Sequence, residues 1–112
     1  MALLNVTAAS EDTIAAPGNR QNNYILASVT DTGGEPVTGL AAGNFKVDPM
    51  IVGPGGALVN IVNVAAGRLP GFYHIDVVPI NTETWKAGTY VFAISVFRGT
   101  DKGQTLTNVV MD

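Results

Sequence analysis

Two short runs carry residue types that could do chemistry. Asp31-Thr32-Gly33 directly follows the apolar run Tyr24–Thr30. A carboxylate on such a loop can act as half of an acid–base dyad when a second chain supplies the other half and the pair shares a proton. His74-x-Asp76 sets an imidazole and a carboxylate two residues apart, on one face of an extended segment. There they could serve as an acid–base pair or as two metal ligands. His74 is the only histidine and there is no cysteine, so nothing nominates a third ligand or a nucleophile–histidine–acid triad, and no Gly-x-Ser-x-Gly elbow occurs. Asp31, Glu35 and Asp48 lack the spacing of a calcium loop. Gly53-Pro54-Gly55-Gly56 lacks that of a phosphate loop and reads as a turn. Asn5-Val6-Thr7 fits a glycosylation acceptor but reads as ordinary strand sequence. The expectation is no catalytic residue, no cofactor and no metal, with His74 and Asp76 on a solvated sheet face.

The elements that would position these residues follow from punctuation and period. The 112 residues contain 13 Gly and 6 Pro, spaced too closely for many helices. Tyr24–Thr30 alternates Ile25, Ala27 and Val29 against Tyr24, Leu26 and Ser28, the period-two signal of a strand. Phe72–Val78 sets Tyr73, Ile75 and Val77 against Phe72, His74 and Asp76, and Thr89–Arg98 aligns Tyr90, Phe92, Ile94 and Val96. Phe45–Val52 is a further strand, and Pro49 inside it predicts an edge position or a bulge. Leu58–Val64 alternates Leu58, Asn60, Val62 and Val64 against Val59, Ile61 and Asn63. A first strand is expected over Ala2–Thr7, an edge pairing over Thr13–Ala16 within a long connector, a hairpin loop over Arg98–Gly103 and a last strand over Gln104–Met111. Short strands at such spacing describe one all-β domain over 1–112, a sandwich or barrel.

Composition removes several function classes. The six Lys/Arg are scattered and the net charge is −3, whereas a phosphate-tracking surface needs many cations on one face, so no nucleic acid is expected. No apolar run approaches a membrane span. Met1-Ala2-Leu3-Leu4-Asn5 has no cationic segment and is not read as a secretory signal. The compartment stays open between the cytoplasm and an excised module of a surface or secreted protein.

Val29-x-Asp31-x-x-Gly34-x-Pro36-Val37-x-Gly39-Leu40 resembles the second-strand exit of bacterial immunoglobulin-like domains of the invasin and macroglobulin types. Gly71-x-Tyr73-x-Ile75 and Ala87-Gly88-Thr89-Tyr90-x-Phe92-x-Ile94 are similar to that group's later strands. The resemblance implies an immunoglobulin-like sandwich of about seven antiparallel strands, with Tyr90 as a tyrosine corner whose hydroxyl bonds back to upstream backbone. It also implies a structural module of the kind found in adhesins, inhibitor scaffolds and enzyme accessory domains. Asp31-Thr32-Gly33 resembles, in turn, the loop of retroviral-type aspartic proteases. Polar Thr30 precedes it, however, Gly34-Glu35-Pro36 follows it, and Ile51-Val52-Gly53 comes too early to be the partner segment.

The leading functional expectation is a non-enzymatic protein-interaction or scaffold module. It would bind through a sheet face, an edge strand or end loops, with self-association among its modes. Phe72, His74, Asp76, Trp85 and Phe97 are the candidate partner-binding residues, the aromatics because they fall outside the alternating core rows or in a connector. The alternative is a carbohydrate-binding module, using Trp85 with Asn81, or Tyr24 with Asn22 and Asn23. The third reading is the aspartic protease, with Asp31 in an obligate dimer.

Overall fold

Period-two alternation survives in three dimensions as two packed sheets. The computed structural model describes residues 3–10, 17–51 and 58–111. The strands are β1 (Asn5–Ser10), β2 (Asn23–Thr30), β3 (Phe45–Ile51), β4 (Val59–Ala66), β5 (Phe72–Pro79), β6 (Gly88–Arg98) and β7 (Asp101–Met111). One sheet has the order β1-β2-β5-β4 and the other β3-β6-β7. Every strand pair is antiparallel. The fold is an all-β sandwich, as the strand spacing predicts, with seven strands among the described residues.

The inward rows are those the alternation assigns. Ile25, Ala27 and Val29 from β2 and Tyr73, Ile75 and Val77 from β5 meet Phe45 and Val47 from β3 and Tyr90, Phe92, Ile94 and Val96 from β6. Close packing of such β-branched and aromatic side chains between two sheets supplies the main stabilisation of a sandwich. Tyr73 is buried, and its hydroxyl donates to Val37 O at 2.6 Å and accepts the Leu40 N–H at 3.3 Å. It thereby ties the connector after β2 to the core. The Tyr90 hydroxyl accepts the Lys86 N–H at 2.9 Å, a bond to backbone four residues upstream.

Three expectations change. The first strand begins at Asn5 and extends to Ser10, not Ala2–Thr7, because Ala8 and Ala9 pair with β2 in spite of side chains too small to declare a face. In β4 the register shifts between Ile61 and Asn63. The extra residue exposes Val62 and turns Val64 to the same side as Val59 and Ile61, so the simple alternation fails there. The hairpin loop shrinks to Gly99-Thr100, because Arg98 already pairs with Asp101. Pro49 behaves as expected: β3 is an edge strand and its register shifts between Pro49 and Ile51. The expected pairing over Thr13–Ala16 and the loop Gly53–Gly56 lie outside the described residues.

β1 joins the two sheets. It pairs along β2, while the Leu4 N–H donates to Lys102 O at 2.8 Å and the Ser10 hydroxyl donates to Asn108 O at 2.9 Å. Gly103 permits this seam. A Cβ there would collide with the Leu4 carbonyl oxygen and lie 2.8 Å from Val6 Cγ2.

Candidate interaction site

Asp31 sits at the exit of β2. Its carboxylate accepts the Gly33 N–H at 2.9 Å and the Glu35 N–H at 3.0 Å, and its own carbonyl accepts the Gly34 N–H at 3.0 Å. Asn5 Nδ2 donates to the same carbonyl at 3.2 Å. An aspartate bonded to the backbone two and four residues on is the chemistry of a turn.

Antiparallel register fixes which outward residues share a row. On the four-stranded sheet Tyr24 lies opposite Asp76, Leu26 opposite His74, and Ser28 opposite Phe72. Ala9 extends the Leu26 row and Thr7 the Ser28 row on β1, while Asn63 extends the Asp76 row on β4. Phe72, His74 and Asp76 therefore stand together on one outward face, as the alternation assigned them. His74 is already engaged by other groups of the chain. Among the described residues no three His, Asp or Glu side chains gather to hold a metal ion.

The centre of this face is apolar. Phe72 and Leu26 form a ridge between two shallow hollows of about 200 and 220 Å³. Thr7, Ala9 and Ser28 border one hollow; Arg68, Leu69 and His74 border the other. Leu69, in the turn before β5, is 61% exposed. That turn lies close over the sheet because Gly71 takes φ +80° and its carbonyl accepts the Val29 N–H at 2.8 Å. A Cβ at Gly71 would come within 2.8 Å of Val29 O and 2.9 Å of Pro36 Cβ. A hydrophobic ridge with an aromatic member, rimmed by Arg68, His74 and Asp76, has the make-up of a protein-contact patch.

The five sequence-selected residues do not converge. Phe97 lies on the outer face of the other sheet, opposite Lys102. Trp85 must be corrected: it is wholly buried and offers no surface to a partner. Its indole N–H donates to Gln21 O at 2.7 Å, its backbone N–H to Asn19 O at 2.9 Å, and its carbonyl accepts the Gly18 N–H at 2.8 Å. Its ring meets Tyr90 edge-on at 5.2 Å. The segment before β2 folds over Trp85 and seals it. The carbohydrate pairs lose two of their members. Trp85 cannot stack on a sugar, and Asn23 points into the core, so the face neighbours of Tyr24 are Asp76 and Leu26. Leu26 and Leu69 were missed by sequence reasoning. The available signal was a leucine on the polar side of an alternating strand, and another in a turn.

No protein-family model, no curated protein and no solved structure matches the chain.

Proposed function

We propose that this chain is a non-enzymatic interaction or scaffold module that binds protein through the outer face of its four-stranded sheet. The observation that carries this reading is the Phe72–Leu26 ridge with Leu69 beside it. Three apolar side chains share one face there, flanked by hollows and a polar rim. Contact energy in such patches concentrates on aromatic anchors that become desolvated, and rim charges chiefly set orientation and rate.

The strand order β1-β2-β5-β4 against β3-β6-β7 supports the immunoglobulin-like reading, because constant-type immunoglobulin sandwiches use the same order. The Tyr90 hydroxyl bond to Lys86 supports it further. A bacterial origin rests on the resemblance of the Val29–Leu40 connector alone.

The test is site-specific photocrosslinking in the cells that make the protein. A photoreactive phenylalanine analogue replaces Leu69 in one variant and exposed Glu35 in another. The expected result is a discrete adduct from position 69 only, lost when Phe72→Ser is added while circular dichroism stays unchanged. No adduct at 69, or equal adducts at both positions, overturns the reading.

A further inference from the structure

β1 is weakly anchored for a strand that closes a sandwich. Its residues alternate between exposed and half-buried and none is buried, whereas every second residue of β2 and of β5 is buried. Val6 and Ala8 lean against the core, and the buried side chain of this segment is Leu4, just before the strand. Backbone bonds hold the rest: the ladder from Asn5 opposite Thr30 to Ser10 opposite Ile25, with the Leu4 N–H on Lys102 O. The Ser10 hydroxyl adds its bond to Asn108 O. A strand with few buried apolar contacts opens at a lower free energy than the core beside it. β1 also precedes the other described strands, so it can leave its seat without disturbing their order.

The seat that β1 fills is regular on both sides. β2 pairs with β5, and β7 with β6, without a register shift. On the other flank of the sandwich β3 approaches β4, and each of those strands carries a shift. An unbroken row of free N–H and C=O groups is a template for an extended chain, and a bulge spoils one. The seat is also selective. Val6, Ala8 and Ser10 lie beside Val29, Ala27 and Ile25, which are fully buried. Leu4 and Val6 pass so close to Gly103 that a Cβ there would meet both. The strand that satisfies these positions is β1 itself. We infer that this seat is an exchange site whose second occupant is β1 of another copy, giving a strand-exchanged dimer. In its new seat the strand remakes the same ladder, the same seam bonds and the same Leu4 burial. Exchange of an identical element needs no new surface, so concentration sets the balance between closed monomer and exchanged dimer. The Phe72 face takes no part in it.

The experiment is disulfide trapping, which the absence of cysteine makes clean. Thr7 lies directly opposite Ser28 on the outward side, and opposed residues of antiparallel strands are close enough for a disulfide. Thr7→Cys and Ser28→Cys are made in separate chains, one carrying a mass tag. They are mixed in equal amounts, concentrated under reducing conditions and then oxidised. The expected result is a mixed Thr7→Cys–Ser28→Cys link that predominates over both like links together. Random collision would make the mixed link no commoner than the two like links combined, and that result overturns the exchange. Adding Phe72→Ser to both chains should leave the mixed link unchanged. Its loss would mean that the Phe72 faces hold the chains together, which also overturns the exchange while supporting that face. If the mixed link fails in both backgrounds, the Leu69 crosslink still decides the Phe72 face separately. Circular dichroism verifies folding, and Asn5→Cys with Thr30→Cys replaces the pair if either variant unfolds.

Discussion

Asn23 enters the core at the start of β2, fully buried, and among the described residues neither its amide nitrogen nor its amide oxygen has a hydrogen-bond partner. An unmet buried amide costs about 1–3 kcal/mol, so Asn23→Leu, which removes both polar atoms at similar volume, should stabilise the chain by about 1–2 kcal/mol. A urea midpoint that falls would contradict this. Asp31 has the opposite character, since both N–H groups it accepts depend on one carboxylate oxygen. Asp31→Ala should lower stability by about 1 kcal/mol, and Asp31→Asn, which keeps an acceptor there, by less; the same denaturation series compares them. At this scale the sequence was legible where a residue's role is local. Asp31 with Gly33, Gly34 and Pro36 reads as a turn from its own neighbours. Trp85 was illegible because its burial depends on Gly18, Asn19 and Gln21. No periodic signal links that segment to the connector before β6.

Elements were legible where alternation and element coincide, as in β2, β5 and β6. Each of these places a β-branched or aromatic row inward. β4 was misread because a bulge swaps faces halfway, and simple alternation does not show it in a run with an asparagine and apolar residues in each row, Asn60-Ile61-Val62-Asn63-Val64. The bulges in β3 and β4 interrupt one edge strand of each sheet, which discourages edge-to-edge pairing there. It also directs attention to the faces as contact surfaces. The seam between β1 and β7 is the other element-scale device. Gly103→Ala should force Leu4 and Val6 away from β7 and destabilise the chain by about 2 kcal/mol or more. Hydrogen exchange would locate the effect: faster exchange at the Leu4 amide and unchanged protection in β5 is the expected pattern, and uniform acceleration would count against a local seam.

At the scale of the molecule, low charge bears on solubility. The sequence pI is about 4.8, and repulsion between copies falls as net charge approaches zero. Solubility should therefore fall as pH is lowered from 7 toward that value, read as turbidity at fixed concentration. A chain equally clear at both pH values would contradict this. The candidate face was half legible. Phe72, His74 and Asp76 follow from one strand's alternation, but Leu26 joins them only through the β2–β5 register and Leu69 only through a turn held close by Gly71. The seam closed by β1 also bears on how the chain reaches this form. Ser10 and Asn108, which bond across it, are 98 residues apart in sequence. Contacts of such separation are the slowest to form, because loop closure must precede any reward. β1 can pair with β2 early, but a chain emerging from synthesis holds β1 without its second partner until β7 has been made.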